Sequence, residues 1–309
     1  MSLEPDRNKI LKDRASMLKK VRSFFDKKKI LEVDIPQLVK HPFIDEHIET
    51  IIAYPNKNQI GYLHTSPEHM MKRLLSQGFK NIYFLGHVFR KDEIGKMHNI
   101  EFTMIEWYKS QTSYENFIKD NIDLIKLFVN FKKVEKLSFF DLFFENYNLD
   151  LRVCKKKDLL NILKKLKIST SKNLEKTSII SLIVDHFFEK MAKKDVLYLI
   201  YDFLKEETPL AKTHIKNNME VAKRFEFYLN GFEIANGYAE LNNEKIIRKR
   251  FEKIIKVKKD LTLDKNFLKA LDFIGDNCYG IAIGFDRLMM LKHKSFDIKD
   301  VLYFSYPEI

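Results

Sequence analysis

Glu101-Phe102-Thr103-Met104-Ile105-Glu106-Trp107-Tyr108 is the stretch on which the fold of this chain turns. As a strand it sends successive side chains to opposite faces, so Phe102, Met104, Glu106 and Tyr108 share one face. An aromatic ring then stands at each end of a face that carries a carboxylate, and at ~3.3 Å per residue the two rings lie roughly 20 Å apart. That span suits an extended nucleotide and a second substrate laid end to end. A core face with Glu106 in a structural pair accounts for the same pattern, and on this strand alone it is the simpler reading.

Outward from this strand the pattern is mixed. Residues 81–89 predict a second strand, and 48–54 and 59–63 two shorter ones. Between them, 65–78 carries helix signals: Thr65 or Ser66 to cap, Pro67 at the first helical position, Glu68 at the positive end and Gly78 to close. Nearer the start, Ile10, Arg14, Met17, Val21 and Phe24/Phe25 recur at helical spacing within 9–29. Ile30-Leu31-Glu32-Val33-Asp34-Ile35 then alternates at period two up to Pro36, which cannot donate to a ladder. The segment 115–225 is richer in helical patterns and Lys, and sheet-forming stretches return at 224–242 and 278–291. One α+β domain with a mainly helical insertion at about 115–223 fits this order.

The second informative segment runs Arg224-Phe-Glu-Phe-Tyr-Leu-Asn-Gly-Phe-Glu-Ile-Ala-Asn-Gly-Tyr-Ala-Glu240. Asn230-Gly231 is a favoured type I′ hairpin dipeptide and predicts the pairs Leu229–Phe232 and Tyr228–Glu233. Glu226 then shares a face with Glu233 as a diagonal neighbour at ~7–8 Å or less. Two carboxylates so placed repel unless a cation intervenes, and a hard metal ion or a pair of Lys/Arg salt bridges would serve equally. Glu240 has the opposite parity from Glu233, so both line one site only if a bulge or bend intervenes, and Asn236-Gly237 is where it is expected. The third segment, Gly280-Ile-Ala-Ile-Gly-Phe-Asp-Arg-Leu-Met-Met-Leu291, is an apolar strand passing through Gly284 into a helix. Arg287 near its start offers a planar, permanent cation to phosphate or a base.

Composition excludes several classes. The 309 residues carry 55 Lys+Arg against 43 Asp+Glu, a net charge of +12, with 45% apolar residues, nine Gly and seven Pro. That is neither a disordered nor a collagen-like chain, and every apolar stretch is broken by charge well before the ~20 residues of a membrane span. The basic runs Lys27–Lys29, Lys155–Lys157, Lys164–Lys165 and Lys258–Lys259 are dispersed, so they read as solvated surface rather than a nucleic-acid groove. The first ten residues have no signal-peptide or transit-peptide character, and Cys154 and Cys278 lack metal-ligand spacing. A reducing cytoplasm and no membrane are expected.

Together these segments resemble the three signature motifs of class II aminoacyl-tRNA synthetases, specifically the lysyl branch. Motif 1 resembles Ile30 to Pro36, motif 2 Phe89-Arg-Lys-Asp-Glu93 with His98 to Tyr108, and motif 3 Gly284-Phe-Asp-Arg287. Only 29 residues precede Ile30, too few for the anticodon-binding barrel of a lysyl-tRNA synthetase. The chain is therefore similar to the truncated relatives of that branch, the elongation factor P lysine ligases, which aminoacylate a protein lysine. Ser66 and Ala282, where the synthetases usually have Ala and Gly, agree. The Ala282 methyl narrows the pocket by an amount worth ~1–3 kcal/mol, in favour of the β-amino isomer.

The resemblance implies a class II synthetase-like catalytic domain, an antiparallel sheet flanked by helices, that uses ATP and Mg²⁺. Arg90 and Arg287 would be catalytic. Asp92, His98, Asn99, Phe102, Glu233, Ile234 and Gly284 would complete the ATP site, Phe102 by stacking on adenine. Glu226 and Glu233 would bind Mg²⁺, and Ser66, Glu68, Glu106, Tyr108, Asn236, Glu240 and Ala282 would form the pocket for lysine or (R)-β-lysine. Tyr108 and Glu240 would take the terminal ammonium. Elongation factor P is the expected acceptor, a homodimer through motif 1 the expected assembly, and tRNA is not expected as a partner. The motif departs from the family's usual Arg-Asn-Glu and His-Asn-Pro-Glu at Lys91, Asp92 and Ile100, which predicts an altered loop with retained activity. A minimal lysyl-tRNA synthetase, an amino-acid:ammonia ligase on the same scaffold and a non-catalytic binding module remain the alternatives.

Overall fold

The computed structural model describes residues 6–45, 48–169, 174–205, 208–216, 218–258 and 261–309, so Lys259 of the last basic run lies outside the described residues. The chain forms two compact units, Met1–Val129 with Ala239–Ile309, and Asn130–Tyr238. In chain order the first unit starts with α1 (Arg7–Lys27), β1 (Leu31–Glu32), β2 (Leu38–Val39), β3 (Ile51–Asn56), β4 (Gln59–Leu63), α2 (Glu68–Ser76), β5 (Asn81–Phe89), β6 (Glu101–Lys109) and α3 (Tyr114–Ile125). There follow β7 (Lys133–Ser138), α4 (Phe139–Tyr147), α5 (Lys156–Lys165), α6 (Lys176–His186), β8 (Val196–Leu204), β9 (Thr213–Lys216), β10 (Met219–Leu229) and β11 (Phe232–Ala239). The return to the first unit brings α7 (Glu244–Val257), α8 (Lys265–Leu271), β12 (Tyr279–Gly284) and α9 (Phe285–His293).

In the first unit the strand order is β1-β5-β6-β12. β5 and β6 pair antiparallel without interruption from Asn81–Lys109 to Phe89–Glu101, and β12 continues antiparallel on β6. The sheet is mixed, because β1 joins β5 in parallel through Leu31–Ile82 and Glu32–Tyr83. The alternation from Ile30 to Ile35 reads as a longer strand than the two residues that pair. One face of this sheet is closed by α1, whose buried residues Ile10, Arg14, Met17, Val21 and Phe25 recur at helical spacing. Phe25 stacks on Tyr83 at 4.1 Å between centroids and lies 5.6 Å from Trp107, so odd-numbered β6 residues point to α1. Even-numbered ones are left for the other face, where the candidate site is. A separate three-stranded sheet, β2-β4-β3, completes the strands of this unit.

In the second unit the order is β11-β10-β8-β7, with β9 on β10. β7 runs parallel to β8 and the other pairs are antiparallel. Its core is built from Phe139 and Phe143 of α4, Leu159 of α5, Ile179 and Ile183 of α6, and Phe188, packed with Tyr198 and Tyr228 from the sheet.

Candidate active site

In the first unit, buried carboxylates converge at the inner end of the even-numbered face of β6. Glu106 and Tyr108 point there from β6, and the Tyr108 hydroxyl donates to Glu106 Oε1 at 2.7 Å. Ser66 donates to Glu106 Oε2 at 2.7 Å and accepts from the Glu68 amide at 3.1 Å, so one hydroxyl both meets the first amide of α2 and orients the acid. β12 supplies the neighbouring row: Gly280 lies opposite Tyr108, Ala282 opposite Glu106 and Gly284 opposite Met104. A Cβ on Gly280 would overlap the Glu240 carboxylate and the Tyr108 ring, whose Cδ1 is 2.7 Å away, so only glycine lets these two side chains meet. The Glu240 amide donates to Cys278 O at 2.9 Å, which fixes the acid beside β12.

Lys72 completes the cluster. It is 0% exposed and lies 2.6 Å from Glu68 Oε1 and 2.5 Å from Glu240 Oε2. Two buried carboxylates thus hold one buried ammonium, and the third, Glu106, is near enough to feel its charge. Burial pushes the Glu106 carboxyl up to about 8, with the Glu68 charge adding to it, while Ser66 and Tyr108 pull the other way. Glu240 is also pushed up to about 8, first by burial and then by Glu68 and Glu106, against the opposing pull of Lys72. Burial alone would drive Lys72 down, but Glu240 and Glu68 outweigh it and hold the ammonium above its ordinary value. The described cluster thus holds more acid than base and is closed from water.

Of the predicted nucleotide residues of the first unit, Arg90 meets Phe102 and Arg287 meets His98. The Arg90 guanidinium sits over the Phe102 ring at 5.1 Å, and its Nε is buried without a hydrogen-bond partner. Glu93 is 3.6 Å from Arg90 Nη1. Arg287 donates to His98 Nε2 at 2.9 Å, which joins motif 3 to the motif 2 loop. The loop itself is closed by Arg90 N to Ile100 O at 2.8 Å and by Gly95 N to His98 O at 3.0 Å. Asn99 is buried and structural in its contacts: it donates to Glu101 O at 2.7 Å and accepts from the Tyr306 amide at 3.0 Å. Asp92 adopts a left-handed φ of 62° and points to solvent, with a side chain 80% exposed. A Cβ on Gly284 would make only ordinary contact with Arg287, so the protein itself does not demand glycine there.

In the second unit the hairpin is as the sequence predicts, with Asn230 at φ 51°, Gly231 at φ 89° and the pairs Leu229–Phe232 and Tyr228–Glu233. The bulge is not at Asn236-Gly237. Gly237 pairs regularly with Phe225, and the register shifts instead between Phe227 and Tyr228, where Ile234 is the extra residue of β11. The cause is the consecutive apolar pair Ile234-Ala235, both buried, which breaks the alternation between Glu233 and Asn236. Glu226, Tyr228, Glu233 and Asn236 therefore share a face, and the Ile234 backbone drops out of the β10 ladder. Glu226 is buried, paired with Arg224, and accepts from the Tyr228 hydroxyl at 2.7 Å. Tyr228 is held in turn by a stack on Phe188 at 3.7 Å. Burial, and then the charge of Glu233, raise the Glu226 carboxyl above its ordinary value, against the pull of Arg224. Asn236 Oδ1 is buried without a partner on this face.

These oxygens suit a hard cation. Among the described residues no three His, Cys, Asp or Glu side chains form a metal cage. Two carboxylates and an orphaned amide oxygen match instead the way Mg²⁺ is held, by one or two carboxylates with substrate phosphates supplying the rest.

A model of the class II tRNA synthetases (D, K and N) matches residues 1–307. The chain belongs to this family. Its relatives include the elongation factor P--(R)-beta-lysine ligase of Avibacterium paragallinarum, 33% identical over 305 residues that cover 96% of this chain and 94% of that protein. The ligase of the same name from Buchnera aphidicola subsp. Acyrthosiphon pisum (strain APS) is 34% identical over 94% of this chain and 93% of that protein. That from Pasteurella multocida (strain Pm70) is 33% identical over the same shares.

Within this class II framework, sequence reasoning missed two residues. Lys72 sits on the buried stripe of α2 with Glu68, Met71 and Leu75, so its signal was a lysine at an inward position four residues after a glutamate. Gly280 was visible as a glycine but not as the one strand position where a side chain would collide with two others. Among the described residues no helix is long and apolar enough to cross a membrane.

Proposed function

We propose that this protein activates lysine or (R)-β-lysine with ATP and transfers it to a lysine side chain of elongation factor P. The observation that carries this reading is the buried cluster of Glu68, Glu106 and Glu240 around one resident ammonium. When ionised it has an excess of two negative charges, which equals the number of ammonium groups on a diamino acid. The names of the relatives support the same substrate and acceptor.

The substrate carboxylate attacks the α-phosphorus of ATP, forming an acyl-adenylate and releasing pyrophosphate. Arg90 and Arg287 neutralise charge that develops on the phosphate, so catalysis is mainly positioning and electrostatics. Phe102 offers a flat surface to the adenine, with His98 and Gly284 close to Arg287, Asp92 and Asn99 in the motif 2 loop, and the Ile234 backbone free of its ladder. Glu226 and Glu233 would hold Mg²⁺, which would supply Lewis-acid charge neutralisation at the phosphates. In the second step the neutral ε-amine of the acceptor lysine attacks the acyl carbonyl. An amide forms, AMP leaves with its electron pair, and the amine proton is released. No side-chain nucleophile is needed.

Asn236 and Ala282 belong to the amino-acid pocket in this reading, with Tyr108 and Glu240 at the terminal ammonium. Residues of about 115–223 form an insertion in one catalytic domain, and the protein works in the cytoplasm as a homodimer. The exposed Leu31 on the edge strand β1 supports an interface there, as an apolar edge that a second copy would cover. The test is pyrophosphate exchange with ATP, Mg²⁺ and either lysine isomer, followed by transfer to purified elongation factor P with tRNA as the competing acceptor. Exchange without RNA and labelling of the protein are expected. Efficient charging of tRNA with no transfer to elongation factor P would overturn the proposal.

A further inference from the structure

Lys72 is the one member of the buried cluster that the activation chemistry does not use. It stands on α2, one turn after Glu68, with its ammonium between Glu68 and Glu240 and no exposure to water. A buried ion pair is weak evidence for a stabilising role, because well-packed apolar residues often replace such pairs at no cost. What an apolar residue could not do here is offset charge. Without Lys72 three carboxylates would face one another in a closed pocket, and with it the excess of the ionised cluster is two.

We propose that Lys72 is the positioning and charge-setting residue of the amino-acid pocket: its ammonium fixes Glu68 and Glu240 and takes up one of three carboxylate charges, which leaves the pocket matched to a substrate with two ammonium groups. This rests on the reading of the cluster as the diamino-acid pocket. Geometry supports the two halves of the role. Glu68 and Glu240 come from distant parts of the chain, and the Lys72 ammonium lies within 4 Å of both. Glu106, by contrast, is oriented by the hydroxyls of Ser66 and Tyr108 and does not depend on Lys72 for its position.

The test is the Lys72→Met variant, measured by pyrophosphate exchange against pH. The groups that act on Lys72 are Glu68 and His69 on α2, Glu106 on β6 and Glu240. His69 is held neutral near pH 7 by its burial, with a value lowered to about 4, so the carboxylates dominate the profile. We expect KM for the diamino acid to rise about tenfold or more while KM for ATP changes less than about twofold. The pH at which the amino acid binds best should also move upward, since the carboxylates lose the cation that favours their charged form.

A second variant reads the charge count directly. Lys72→Met with Glu68→Gln returns the excess to two, and should bind the diamino acid more tightly than Lys72→Met alone, with a pH profile moved back toward that of the unaltered protein. If Lys72→Met does not fold, the double variant carries the test by itself, and failure to bind the diamino acid overturns the proposal. Unchanged constants in Lys72→Met, or a parallel rise for ATP and amino acid with an unmoved pH profile, also overturn it. Absence of exchange by the unaltered protein with either lysine isomer overturns the function proposed above together with this inference. Normal exchange by the unaltered protein with a silent Lys72→Met variant overturns this inference alone.

Discussion

Ala282 and Glu106 lie directly opposite one another on the β12–β6 ladder, so the Ala282 methyl stands on the same face as the Glu106 carboxylate. In the amino-acid pocket proposed above, this methyl would occupy space beside the acid that would receive an ammonium. Ala282→Gly should therefore raise the use of α-lysine relative to the β-isomer by one or two powers of ten, the range of a methylene-sized change of ~1–3 kcal/mol. Pyrophosphate exchange with each isomer reads the ratio, and an unchanged ratio would place the discrimination elsewhere.

Two residues further back on the same strand, the opposite change should be destructive. Gly280→Ala sets a methyl against the Glu240 carboxylate and the Tyr108 ring. Neither can retreat easily, since Glu240 is held by Lys72 and Tyr108 by Glu106. Overpacking of this kind costs about 1–3 kcal/mol. The melting temperature should fall and KM for the amino acid should rise, while ATP binding measured by calorimetry stays near that of the unaltered protein.

What the sequence reveals of this fold depends on the range of the signal. The period-two face of β6, the Asn230-Gly231 hairpin and the stripe of α1 are local patterns, and the structure matches each of them. Residues 59–63 and 81–89 are strands with those bounds. The Asn236-Gly237 dipeptide suggests a bulge, but the consecutive apolar pair Ile234-Ala235 marks the slip more directly. Lys72 was invisible for a different reason: the acid that explains its burial, Glu240, is 168 positions away in sequence, and no periodicity reports such a pairing. Arg14 is the same case. In sequence it is one position on an amphipathic stripe, and its partner Asp286 comes from the far end of the chain.

The raised carboxyls make a prediction about pH. In the unfolded chain Glu106 and Glu240 titrate near 4.5, and in the folded protein near 8. A carboxyl raised on folding favours the folded state below its unfolded value, and this contribution is lost as pH rises toward the folded value. The protein without amino acid should therefore lose stability between about pH 4.5 and 8 through these two acids, which titrate as a set. A diammonium substrate binds the charged carboxylates, so the increase in melting temperature that it produces should grow over the upper part of that window. A substrate-induced shift that is flat from pH 6 to 8.5 would count against the cluster as its site.

The proposed metal pair can be tested through Glu233, which is less buried than Glu226 and does not accept the Tyr228 hydroxyl. Glu233→Gln keeps the shape and removes one charge from the face that carries Glu226 and Asn236. The Mg²⁺ concentration for half-maximal exchange should rise by about tenfold or more, in the range that loss of one charged contact of ~1.5–3 kcal/mol gives. The melting temperature without nucleotide should be unchanged or slightly higher, because the charge that raises the Glu226 carboxyl is reduced. An unaltered Mg²⁺ requirement would remove Glu233 from the metal site.

Finally, a buried ion pair behind the sheet stands next in sequence to Arg287, the proposed catalytic arginine of motif 3. Arg14 of α1 lies 2.5 Å from Asp286 Oδ1, donates to Thr103 Oγ1 at 2.7 Å and to Val301 O at 3.1 Å. Asp286 Oδ2 accepts from the Thr103 amide at 2.7 Å. Asp286 is the neighbour of Arg287, and Thr103 the neighbour of Phe102, so one cluster ties α1, β6 and α9 together directly behind two proposed ATP contacts. Arg14→Met leaves the Asp286 carboxylate buried with only a backbone donor, a loss that typically costs ~3–5 kcal/mol. A clear fall in the urea midpoint with an unchanged slope is expected, together with a rise in KM for ATP that exceeds any rise for the amino acid. Equal effects on both substrates would mean that the pair supports the unit as a whole, and no effect on stability would mean that Asp286 finds another partner.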